Sequence, residues 1–159
     1  MKRIFTMLCL GLIVLASACK KENHTPDLFI GASLKGQNWI AQPRAGYITP
    51  DSLQILGYKA TGEQTLYVNL RFNGTGTYTI TGVNQARYYT TVGQDAVTSN
   101  YILDTTKTNT LTVDNYTLAT GVMTGRFNLN FVKKQGDASA DQTLSFTNGQ
   151  FWVIAPVTP

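Results

Sequence analysis

The sequence predicts an all-β fold, an antiparallel β-sandwich or flattened barrel of about ten meander-connected strands. Three observations carry this expectation. From Leu28 onward the chain is rich in Thr, Val, Ile, Tyr and Phe, residues that suit a half-buried pleated surface. Gly or Asn interrupts it at roughly eight- to twelve-residue intervals, the spacing of short strands and turns. No stretch repeats its apolar residues at a helical period, whereas several alternate apolar with polar.

The first two strands are expected over residues 28–35 and 39–48, joined around Gly36-Gln37-Asn38. Pro43 marks an edge or a bulge there, because it has no N–H to give to a ladder. Residues 52–60 and 65–72 form the next hairpin. A two-residue Gly62-Glu63 turn of type II′ would pair Ile55 with Leu70 and Leu53 with Phe72 on one face, and Tyr58 with Tyr67 on the other. A loop over 74–76 then aligns Phe72 with Tyr78 and Leu70 with Ile80. Shorter runs follow at 87–92, 101–104 and 111–117, with 104–109 as a turn or hairpin tip. The clearest pair is 122–134 with 143–155. Phe127, Leu129 and Phe131 alternate with polar neighbours, and Leu144, Phe146, Phe151 and Val153 answer them. The odd spacing between Phe146 and Phe151 demands one extra residue. A bulge at Asn148-Gly149 absorbs it and brings Phe131 to Phe146 and Phe127 to Phe151.

Ahead of this body lies a different kind of segment. Lys2 and Arg3 precede an apolar run over residues 4–16, broken only by Thr6 and Gly11, and small residues then lead to Cys19. This is the layout of a secretory signal, and it falls short of the roughly 20 apolar residues a spanning helix needs. Ala16-Ser17-Ala18-Cys19 resembles a bacterial lipobox, with Ala16 where leucine is usual. That resemblance implies removal of residues 1–18 and lipidation of Cys19. Ala16-Ser17-Ala18 also fits the A-x-A site of an ordinary signal peptidase. The expected organisation is a lipoprotein signal peptide over 1–18, a lipidated cysteine and flexible tether over 19–27, and a single all-β domain over 28–159. The expected location is the outer membrane of a cell envelope, held by the lipid, with the surface face or the periplasmic face both open.

Removing the leader removes chemistry as well. It carries two of the 13 basic residues, which leaves eleven against nine acids and a net charge of +2. The body holds no basic block, so nucleic acid is not an expected partner. Cys9 leaves with the leader, Cys19 is the acylation site, and the one histidine, His24, sits in the tether. A histidine-dependent nucleophile or zinc site is therefore excluded from the folded body. No cofactor and no metal are expected, and the chain reads as a non-enzyme. Asp137 and Asp141 share a polar loop but lack a calcium-loop pattern, and read as a solvated hairpin tip.

Four stretches carry a family resemblance: Phe29-Ile-Gly-Ala-Ser-Leu-Lys-Gly-Gln-Asn-Trp39, Gly74-Thr-Gly-Thr-Tyr-Thr-Ile80, Thr124-Gly-Arg-Phe127 and Ser145-Phe-Thr-Asn-Gly-Gln-Phe151. Their order and spacing resemble a family of small Bacteroidota lipoproteins of unknown function. The resemblance spans about 28–153 and implies an extracytoplasmic β-rich domain, with no activity and no functional residue attached. Asp51-Ser52-Leu53 and Asp104-Thr105-Thr106 resemble the short O-glycosylation motif of secreted proteins from such bacteria.

The candidate ligand residues are aromatic: Tyr58 and Tyr67 on one outward face, with Tyr88-Tyr89, Trp39 and Trp152 adding flat surface. Rings flanked by Asn, Gln and Arg suit sugars, although each ring taken singly is also an ordinary cross-strand or half-buried residue. The expectation is a lipid-anchored envelope protein that acts as a binding or interaction module for a glycan, a small ligand or a protein. A lipocalin-like carrier with an interior cavity is the alternative, and a carboxylate-based hydrolase the second. Whether the inward Phe and Leu side chains fill the interior decides the first.

Overall fold

The computed structural model describes residues 27–49 and 51–155. The expected signal, Cys19 and the tether up to residue 26 lie outside them. Ten antiparallel strands are present: β1 (Phe29–Leu34), β2 (Gln37–Thr49), β3 (Ser52–Lys59), β4 (Gln64–Arg71), β5 (Gly76–Thr79), β6 (Ala86–Val92), β7 (Ala96–Leu103), β8 (Thr110–Thr117), β9 (Val122–Gly136) and β10 (Thr143–Ile154). They pair in the order β10-β1-β2-β3-β4-β6-β7-β9-β8-β5, and β9 also pairs with β10. That last pairing closes eight of the strands into a barrel, which removes the sheet edges.

Two of the barrel's staves are each made of two strands laid end to end. β7 pairs with the upper half of β9, from Leu103 opposite Phe131 to Ser99 opposite Gly136. β8 pairs with the lower half, from Thr110 opposite Asn128 to Thr117 opposite Val122. The segment 104–109 is thus a break within one stave, not a hairpin tip. β5 lies against β8 and β6 against β4 and β7, so 80–85 is the matching break in the other stave. Each break strands backbone groups, and an amide side chain takes them up. Buried Asn109 donates to the carbonyls of Asp104 and Lys107 and accepts from the Asn130 N–H. The Gln85 side-chain oxygen accepts from the N–H groups of Thr81 and Gly82.

The expected faces hold, but two registers move by two residues. In the β3–β4 hairpin Ile55 faces Val68 and Leu53 faces Leu70, while Tyr58 faces Thr65 and Tyr67 faces Leu56. The loop is four residues, not two, with both Gly62 and Glu63 at positive φ. Glu63 holds that strained shape through a tertiary contact. Its carboxylate accepts from the N–H groups of Gly93 and Gln94 and from the Thr91 hydroxyl, in the β6–β7 turn.

The β9–β10 bulge falls where expected, with Asn148 at φ 52°. Yet Phe146 faces Leu129, Phe131 faces Leu144, and Phe151 faces Gly125. A Cβ at Gly125 would sit 2.4 Å from the Phe151 ring, and one at Gly149 would sit 2.5 Å from the Phe127 ring. Each phenylalanine therefore lies over a glycine of the partner strand, and this fit sets the register. Phe72 and Tyr78 do stack, at 6.4 Å, but not as ladder partners, since β4 pairs with β6. Pro43 sits beyond the stretch of β2 that β1 covers, as an edge proline should.

Candidate functional site

The interior is filled. Leu53, Met123, Leu129, Phe131, Phe146 and Val153 are fully buried, and the void among Ile30, Ile55, Val68 and Phe127 measures only about 10 Å³. That is at the limit of one water molecule, as expected for a barrel of eight strands whose side chains meet at the axis.

One end is closed and the other open. Four hairpin turns, at 35–36, 60–63, 93–95 and 137–142, gather at the open end. Between them is a concave mouth of about 550 Å³, within the range of small-molecule sites. Its character follows from how each inward file of side chains ends. In β3 the file runs Leu53, Ile55, Gly57, Lys59, and in β4 it runs Leu70, Val68, Leu66, Gln64. In β6 it runs Ala86, Tyr88, Thr90, and in β7 Leu103, Tyr101, Ser99. All four turn polar on reaching the mouth. Lys59 pairs with Gln64, Gln64 with Thr90, and Thr90 with Ser99, so the four form one continuous row. The facing wall, from β1, β2 and β10, stays apolar through Leu34, Trp39 and Leu144.

Several groups in this mouth are already committed. The Trp39 indole N–H donates to the Gln64 side-chain oxygen at 2.7 Å, and its ring lies across Gly57, where a Cβ would come within 3.1 Å. The Tyr101 hydroxyl donates to the Asp141 carbonyl, while Asp141 pairs with Lys35 across the rim. Lys133 donates to the carbonyls of Asp137 and Ala140 and so ties the same loop from beneath. The hydroxyls of Tyr88 and Ser99 form no hydrogen bond with any described residue, although the two residues are only 4% and 8% exposed. Burial raises the Tyr88 pKa, and the nearby Tyr101 adds to that rise, so its hydroxyl stays protonated and able to donate.

The closed end is aromatic. Phe72 meets Tyr116 at 5.1 Å and Tyr47 at 6.2 Å, both edge to face. The Tyr47 and Tyr116 hydroxyls lie 3.4 Å apart, and the Tyr78 hydroxyl donates to the Gly74 carbonyl and accepts from the Asn73 N–H. Burial, followed by the Tyr116 contact, raises the Tyr47 pKa. A shallower depression of about 450 Å³ lies on the outside of β1, β2 and β10, with Gly31 as floor and Phe29, Ile40, Asn148 and Gln150 around it.

Of the candidate aromatic residues, Trp39 and Tyr88 come together in the mouth, and the rest lie elsewhere. Trp39 lies in the mouth, buried and facing inward. Tyr58 and Tyr67 point outward from β3 and β4, half-buried, and Trp152 lies on the outside of β10 opposite Phe29. The polar row went unseen in the sequence, though a signal exists: the last inward residue of four strands is polar. Asp137 and Asp141 do not share a site, since Asp137 accepts from the Ser139 N–H while Asp141 meets Lys35. Among the described residues no group of three His, Cys, Asp or Glu side chains gathers. Ser52 donates its hydroxyl to Asn69 within the β3–β4 hairpin, whereas Thr105 is exposed in the 104–109 break.

No curated protein and no solved structure matches the chain. A family described as a domain of unknown function, DUF6252, matches residues 27–155, which take in all ten strands, and the chain belongs to that family.

Proposed function

We propose that this protein is a non-enzymatic binding module of the cell envelope, lipid-anchored through Cys19, that holds a glycan or other small polar ligand in the mouth of its barrel. The observation that carries this reading is the pair of hydroxyls, on Tyr88 and Ser99, that open into a concave site with no partner among the described residues. Such hydroxyls can donate to a bound acceptor without first giving up a bond within the protein. The filled interior favours the mouth over a carrier cavity. The single carboxylate of the mouth, Asp141, is engaged by Lys35, which favours binding over carboxylate chemistry. The anchor fits the same picture. β1 starts at Phe29 and runs toward the mouth, so the barrel joins the preceding chain at the end opposite the mouth.

Two experiments test this. A Cys19→Ala variant is expected to leave the membrane fraction and lose lipid labelling, and retention in the membrane would overturn the anchor. For the mouth, a Trp152→Phe variant leaves Trp39 as the one tryptophan. A ligand found on a glycan array is expected to shift the fluorescence of that variant. A ligand that shifts the fluorescence of the parent chain but not that of the Trp152→Phe variant places the site on the outer face instead.

A further inference from the structure

Resting on the mouth as the binding site, we infer that its ligand carries a carboxylate beside an apolar face, with Lys59 as the counter-charge. Three observations lead there. Lys59 occupies an inward position at the end of β3, and it forms no ion pair with any described residue. Of the other charges in the mouth, Lys35 and Asp141 neutralise each other. Glu63, the acid nearest Lys59 in the chain, is turned onto the β6–β7 turn and held there by two N–H groups and a hydroxyl. The mouth thus keeps one uncompensated positive charge.

The rest of the row matches an acceptor rather than a donor. Gln64 gives its oxygen to Trp39, which leaves its NH₂ group to donate. The hydroxyls of Tyr88 and Ser99 are free to donate as well. One ammonium, one amide NH₂ and two hydroxyls on adjacent strands make a donor surface for the two oxygens of a carboxylate, and charge assistance strengthens each bond. Across the mouth, Leu34, Leu144 and the edge of Trp39 offer an apolar wall. A sugar acid satisfies both walls, through its carboxylate and the C–H face of its ring, and an aryl carboxylate does so as well.

The test compares matched pairs on the full-length chain in detergent, by titration calorimetry. The probes are oligogalacturonate against the neutral galactose oligomer of equal length, and benzoate against benzyl alcohol. The acid of at least one pair is expected to bind about ten-fold tighter or more than its neutral partner, with the preference shrinking as salt rises. A Lys59→Met variant is expected to lose that preference while retaining the weaker neutral affinity. The pair that responds identifies the body to which the carboxylate is attached. Equal binding of acid and neutral partner, with Trp39 responding, overturns the carboxylate inference and leaves the mouth in place. A preference for the acid that survives Lys59→Met overturns the role of Lys59. Absence of binding by all four probes, with Trp39 silent, overturns both.

Discussion

At the closed end of the barrel the rings of Tyr47, Phe72, Tyr78 and Tyr116 pack on one another, and their hydroxyls are satisfied by each other or by the Asn73-Gly74 turn. At the mouth the same sheet presents Tyr88, Tyr101 and Trp39, but only two of these have protein partners for their polar atoms. Both ends use aromatic residues to cap one filled core. The difference lies in what becomes of the polar atom each ring carries. A hydroxyl bonded within the protein contributes to stability, whereas one that opens into a concave surface without a protein partner contributes little to the fold and is available to a ligand.

Substitutions at the two ends should separate these roles. Phe72→Ala removes the ring that joins three tyrosines and is expected to destabilise the fold by about 2–3 kcal/mol, read as a lowered urea midpoint. A loss below about 0.5 kcal/mol would show that the aromatic cluster is not a structural plug. The same chemical change at the two ends makes a closer comparison. Tyr78→Phe should cost about 1 kcal/mol, because it strips the Asn73-Gly74 turn of its partner, while Tyr88→Phe should cost almost nothing and weaken ligand binding. Equal stability losses would erase the distinction between the ends.

The mouth should also respond to acid. Hydrogen bonds from Gln94, Thr91 and Gly93 hold the Glu63 carboxyl below its ordinary pKa of 4.5. A lowered folded pKa gives stability that is present above about 4.5 and is lost as pH falls through the folded value. The rim amides of Gly93 and Gln94 are therefore expected to lose hydrogen-exchange protection as pH falls below that point, and Glu63→Gln should remove the dependence. Asp104 and Asp137, lowered by their hydrogen bonds to Thr106 and Ser139, add to the acid sensitivity of the whole fold in the same direction. The smallest effect is expected at the exposed Lys35–Asp141 pair. Asp141→Asn should change stability by less than about 0.5 kcal/mol, yet alter ligand on- and off-rates if the 137–141 loop has to move for entry. Rates identical to the parent would show that the loop is fixed in place.

Ten strands, their inward faces and the bulge at Asn148-Gly149 were legible in the sequence, because strand alternation and positive-φ residues are local properties. The two-residue register errors were not avoidable by that route. A shift of two keeps every side chain on its face, so alternation cannot detect it. What chose the register was distant: Glu63 reaching the β6–β7 turn, and the Phe151 and Phe127 rings settling over Gly125 and Gly149. The segment 104–109 looked like an ordinary turn for the same reason, since only the pairing of both β7 and β8 to β9 shows that it interrupts a stave. The candidate aromatics were chosen as exposed rings; the structure keeps Tyr58 and Tyr67 on one outward face, but turns Trp39 into the mouth and puts Trp152 on the outside of β10.

The sequence alone determined an all-β body with no histidine beyond His24, and it set the expectation of a leader over 1–18 ahead of Cys19, because composition and strand period need no partner to be read. Closure of β10 onto β1 was decided only in three dimensions, since a barrel depends on pairing between the two ends of the chain. The mouth was decided there too. Lys59, Gln64, Thr90 and Ser99 are spread over 40 positions and become neighbours only when four strands lie side by side. Before closure each is one more polar residue at the end of a strand, and after it they line a single wall.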